Sequence, residues 1–132
     1  MLTAVAILSA CASTVSVADL RKVNEGSTSV LVDLTYESAY RIVAAESRRC
    51  FERTFNGATV IVRADLYSDS KTAEISVAAA MMNKNIAEIV FDIRSTGAAT
   101  SEVRAFYRKK SSEDVVNAMR EWLKGDTTVC HA

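Results

Sequence analysis

The residues able to do chemistry are few in this chain, which has one histidine and three cysteines among 132 residues. His131 follows Cys130, a pair that could set an imidazole base beside a thiol nucleophile, except that adjacent side chains of an extended segment point apart. A single histidine gives no two-histidine metal site, and neither a metal nor a cofactor is expected. Asp65, Asp69, Glu74, Glu88 and Asp92 could furnish paired carboxylates, but within strands they alternate with apolar residues as a solvated sheet face does. Arg48, Arg49, Arg53 and Arg63, with Arg104, Arg108, Lys109 and Lys110, could build a surface for phosphate or lipid headgroups, with Tyr67, Phe106 and Tyr107 close in sequence. The chain balances 16 basic against 16 acidic residues, so these cations are expected to be neutralised locally, and no overall field draws the protein to nucleic acid. The expectation is a protein that binds and does not catalyse.

Cys11 has a different setting. Met1 to Ala10 is apolar or small, with Leu2, Val5, Ile7 and Leu8 as a hydrophobic run, and the first charge is Asp19. That is the profile of a signal peptide cut short. Leu8-Ser9-Ala10-Cys11 resembles the lipobox of bacterial lipoproteins at every position, a large aliphatic residue and two small ones before the cysteine that receives lipid. Small residues are needed there because a peptidase must draw an extended backbone into a narrow site beside the membrane. The resemblance implies that residues 1–10 are removed and that Cys11 carries the lipid. Because Ala12 and not aspartate follows, it also implies anchorage on the periplasmic face of the outer membrane. Met1-Leu2-Thr3-Ala4 lacks the lysine or arginine that opens such peptides, so the translation start is expected upstream. Residues 11–29, rich in serine, threonine and small residues, are expected to be the lipidated cysteine and a flexible tether. No apolar run approaches the roughly 20 residues of a membrane-spanning helix.

Setting Cys11 aside leaves Cys50 and Cys130, an even pair in an oxidising compartment. A disulfide between them would close a loop of about 80 residues and contribute on the order of 4 kcal/mol. Two separate thiols are the alternative.

The folded part is expected over residues 30–132 as one domain. Val30, Val32 and Leu34 alternate as a short strand. Tyr36, Tyr40, Val43, Ser47 and Cys50 then form one stripe of a helix that Thr35 can cap and Asn56-Gly57 is expected to stop. Four strands follow, with inner faces Val60/Val62/Ala64/Leu66, Ala73/Ile75/Val77/Ala79, Ala87/Ile89/Phe91/Ile93 and Val103/Ala105/Tyr107. Ser68-Asp69-Ser70, Met81 to Asn85 and Thr96-Gly97 supply the turns. A last helix, Glu113 to Lys124, is entered through Ser111 or Ser112, turns Val115, Met119, Trp122 and Leu123 to the sheet, and ends at Gly125.

The predicted class is therefore α+β, in the order strand, helix, four strands, helix, with an antiparallel sheet packed on the C-terminal helix. This arrangement resembles a helix-grip domain, similar in outline to those in the C component of the outer-membrane β-barrel assembly machinery. Tyr40, Cys50, Trp122, Gly125 and Cys130 also resemble the pattern of small uncharacterised proteobacterial lipoproteins, in which a tyrosine-bearing helix ends near a cysteine and a tryptophan-containing final helix precedes another.

Met81-Met82, preceded by Ala78, Ala79 and Ala80, is an apolar stretch where a hairpin tip should be polar. It either packs on a helix or marks a docking or membrane-facing edge, and it is the candidate binding edge. The function expected is a lipid-anchored adaptor that binds an envelope protein. The alternative is a carrier of a small apolar ligand or lipid in the groove between sheet and helix, a pocket that a helix-grip fold can open.

Overall fold

The computed structural model describes residues 15–22, 26–109 and 112–131. In chain order the elements are α1 (Val17–Lys22), β1 (Ser27–Val32), α2 (Tyr36–Phe51), β2 (Arg53–Phe55), β3 (Ala58–Tyr67), β4 (Thr72–Met81), β5 (Lys84–Gly97), β6 (Thr100–Tyr107) and α3 (Glu113–Leu123). The strands form one open, antiparallel, six-stranded sheet in the order β1-β6-β5-β4-β3-β2. An α+β architecture is thus present, but with two elements the sequence reading did not contain, α1 and β2.

Local chemistry explains the element ends. Thr35 caps α2: its hydroxyl oxygen accepts from the Ser38 amide at 3.2 Å, meeting one of the donors a helix start leaves without an internal partner. Asn56-Gly57 does not stop this helix, which already ends at Phe51 with Glu52 as its cap. Both residues have positive φ, 47° and 76°, and they join β2 to β3 as the two-residue turn that favours Asn-Gly in hairpins. Gly125, at φ 102°, closes α3: its amide donates to the Trp122 carbonyl and that of Asp126 to the Glu121 carbonyl, both at 2.9 Å, the paired bonds of a glycine-dependent helix terminus.

One sheet face carries the main core. Ile75, Phe91, Ile93, Val103 and Ala105 are buried there against Ala39, Val43 and Ala44 of α2 and Val115, Val116, Ala118, Met119 and Trp122 of α3. The C-terminal helix does not cover the sheet alone: α2 lies against β3, β4, β5 and β6, and α3 sits beside it toward β1. Leu66, expected on the inner face, is exposed near the end of β3.

Ala87 is a second correction. The register of β4 with β5 slips between Val77 and Ala78, so that Val77 faces Ile89 while Ala78 faces Ala87. The extra residue, Glu88, reverses the alternation. Ala87 therefore joins Val90 on the outer face, where both are buried with Leu20 of α1.

That helix also corrects the expected tether. Residues 15–22 are not free of the domain: Val15 forms a parallel bridge with Ile86, α1 buries Leu20 on the outer face, and β1 begins at Ser27, ahead of the expected boundary at residue 30. A six-residue helix is too short to hold itself in water; the apolar patch of Ala87 and Val90 holds it. The segment expected as a signal peptide, residues 1–10, and the lipidation site Cys11 lie outside the described residues.

Candidate functional site

The two ends of the sheet differ in how they treat their unpaired backbone. At one end β2 spans only Arg53–Phe55, and the part of β3 beyond it carries Arg63 and Asp65. Short strands and charges are the usual protection of a sheet edge. At the other end β1, Ser27-Thr28-Ser29-Val30-Leu31-Val32, has no charge and no proline, and among the described residues it pairs with β6 on one side only. Leu31 is 72% exposed. Beside this strand runs an open groove of about 530 Å³, lined by Val30, Leu31, Val32, Leu34 and Leu123 together with Asp33, Arg120 and Lys124. Ser101 fixes the turn after β1 by donating its hydroxyl proton to the Leu34 carbonyl at 2.8 Å, and Arg120 donates to the Thr28 hydroxyl at 3.0 Å. The groove is therefore a braced feature of the sheet margin.

The outer face holds a second concavity, about 360 Å³, among Arg21, Tyr67, Glu74, Asp92, Arg104 and Phe106. Its carboxylates are not an acid and base pair. Glu74 and Asp92 face each other across β4 and β5, and Arg21 bridges them, with Nε and Nη2 on the two oxygens of Asp92 at 2.8 and 2.6 Å and Nη2 also on Glu74. Asp92 above all, and Glu74 after it, hold the guanidinium proton more tightly than usual. Part of the expected basic surface is neutralised by carboxylates: Arg49 pairs with Glu46, Arg108 with Glu88, and Arg104 lies 3.7 Å from Glu102, while Lys110 lies outside the described residues.

Met81 and Met82 lie at the β4–β5 turn. Met81 is part exposed and Met82 entirely so, and Met82 has φ 51°. Cys50 and Cys130 are joined by a disulfide with Cα atoms 5.5 Å apart, compatible with the pairing expected from the cysteine count. Noncovalent contacts hold the same tail: the Val129 carbonyl accepts from Trp122 Nε1 at 2.7 Å and Arg49 Nη2 at 3.2 Å. With Cys130 bonded, no thiol among the described residues stands beside the exposed His131. Among the described residues no group of three or more His, Cys, Asp or Glu could hold a metal.

Sequence reasoning missed Arg21 and the groove at β1. The uncharged run Ser27–Val32 was a usable signal for the groove; Arg21 and Asp92 are 71 positions apart, and no spacing rule links them.

No family model and no curated protein matches the chain. Among solved structures it is similar to the di-domain ARO/CYC BexL from the BE-7585A biosynthetic pathway, at 16% identity and a TM-score of 0.37, over 75% of this chain and 43% of that one. The chain thus spans less than half the length of that structure, and a likeness this distant says nothing about activity. None of these comparisons supports the expected resemblance to small lipoproteins or to the assembly-machinery component.

Proposed function

We propose that the protein is a non-enzymatic, lipid-anchored envelope adaptor that takes an extended segment of another protein onto the free edge of β1. The observation that carries this is the uncharged edge Ser27–Val32 with exposed Leu31 above an apolar groove. An added strand would satisfy every second N–H and C=O of β1, and its alternate side chains would reach the groove past Leu34 and Leu123. The runner-up, a carrier holding a small apolar ligand between sheet and helices in the manner of a helix-grip domain, has less support. Phe91, Met119 and Trp122 are fully buried in that space, leaving the open apolar volume at the sheet margin. The test is a photo-crosslinking residue at position 31 in envelope-exporting cells. A single adduct that disappears when Ser29→Lys charges the edge supports the adaptor, and an adduct-free protein at normal abundance ends it.

A further inference from the structure

We propose that the Met81-Met82 hairpin tip dips into the surface of the same bilayer that holds the lipid of Cys11, so that the domain stands on the membrane at two points. The inference rests on reading Cys11 as the lipid-bearing residue. Val15 is fixed in the sheet by two backbone bonds, its amide to the Asn85 carbonyl at 3.2 Å and the Ala87 amide to its carbonyl at 2.9 Å. The bridge is parallel to β5, so the chain approaches Val15 from the side of the Met82-Asn83 turn. Cys11 is four residues before Val15, and four extended residues reach at most about 14 Å. A lipid on Cys11 therefore brings the bilayer to this end of the sheet.

The tip is built for that contact and poorly built for water. Met82 is fully exposed at a positive φ of 51°, a conformation glycine or asparagine adopts at far lower cost. Met81 pairs with Lys84, so Met82-Asn83 is a two-residue hairpin loop and the positive φ serves the turn, but the full exposure of a methionine there does nothing for the fold and leaves an apolar side chain at the tip. Two flexible thioether side chains suit the disordered boundary between headgroups and acyl chains. Lys84 beside the turn, and Lys109 just past the end of β6, are exposed at the same end and complement anionic headgroups. The neighbouring β2–β3 turn is the uncharged pair Asn56-Gly57, so no carboxylate at that turn opposes the approach.

The test couples the oxidised full chain chemically through Cys11 to maleimide-bearing lipid in vesicles of phosphatidylethanolamine and phosphatidylglycerol. The Met82→Trp variant should show blue-shifted emission and quenching by brominated lipid. Asp69→Trp, in the hairpin at the other end of the sheet, should show neither, and native Trp122 is fully buried. If Met82→Trp does not fold, Met81→Trp reports on the same tip. An indole at the tip that stays unquenched on coupled vesicles overturns the proposal. Coupling is independent of cellular lipidation, so failure here is distinct from failure of the Cys11 reading, which palmitate incorporation reports.

Discussion

Arg21 grips Asp92 through a forked pair of hydrogen bonds, 2.8 and 2.6 Å, across 71 positions of sequence, and the same guanidinium reaches Glu74. Two carboxylates directly opposite on neighbouring strands repel; the cation laid over them by α1 removes that repulsion and pins α1 in return. Arg21→Met should destabilise the fold by about 1 kcal/mol, a modest figure because all three side chains keep contact with solvent. Adding Asp92→Asn should return most of that loss. Urea unfolding of the single and double variants measures it, and equal stability of wild type and Arg21→Met would show that the bridge carries nothing.

The Cys50–Cys130 bond closes the chain over 80 residues. Its removal should cost about 2–4 kcal/mol. Cys50→Ser, Cys130→Ser and the double variant should lose similar amounts, because each breaks the same link. Trp122 donates its indole proton to the Val129 carbonyl next to Cys130, so its emission should change with the tail before global unfolding. Unreduced peptide mapping of protein from the periplasm that finds two free thiols would remove the bond from the account.

Glu102 gives the acid limb of stability a specific origin. Its carboxylate accepts from Arg94 Nε at 2.9 Å, and this bond, with the charges of Arg94 and Arg104, holds its pKa below the ordinary 4.5. A carboxyl depressed on folding stabilises the native state above its unfolded pKa and loses that contribution as pH falls through the folded value. Glu102→Gln should therefore be less stable than wild type at neutral pH, and the difference should vanish in acid. A gap that persists unchanged at pH 2 would assign the loss to packing.

Cys11 is expected to carry the lipid. With a complete signal sequence in a Gram-negative host, the wild type should incorporate labelled palmitate and fractionate with membranes, and Cys11→Ser should do neither. Identical labelling of both proteins would exclude this anchor.

What was legible in the sequence was whatever depends on near neighbours. The Thr35 cap, the alternation of β3 up to Ala64 and of β4 up to Val77, and the terminating role of Gly125 are local in origin, and they stand in the structure as read. The slip at Glu88 was hidden because a bulge leaves no mark in a run of apolar residues; only pairing with β4 reveals it. Asn56-Gly57 was read as a helix stop because the same left-handed preference serves a helix end and a hairpin turn. The helix α1 exists only through Leu20 and Arg21 meeting β5 and β4, a tertiary effect that propensity over six residues cannot show. At the candidate site the apolar tip was legible as composition, while the groove needed β1 to be an outer strand.

The parallel bridge between Val15 and Ile86 also has a mechanical meaning. A lipidated Cys11 would transmit any pull from the membrane first to those two backbone bonds, then to the α1 contacts and Arg21, and only afterwards to β1, whose entry is held by Gly26 accepting from the Tyr107 amide. Peeling in that sequence would let out the chain as far as Gly26 and lengthen the leash from about 14 Å to roughly 50 Å while the strands stay paired. Residues 15–22 would then serve as a reserve of slack, letting the β1 groove reach a partner standing off from the bilayer. Pulling single molecules through Cys11 should register this as one small extension step well before the sheet gives way; a trace with no step ahead of global rupture would mean that the leash is fixed.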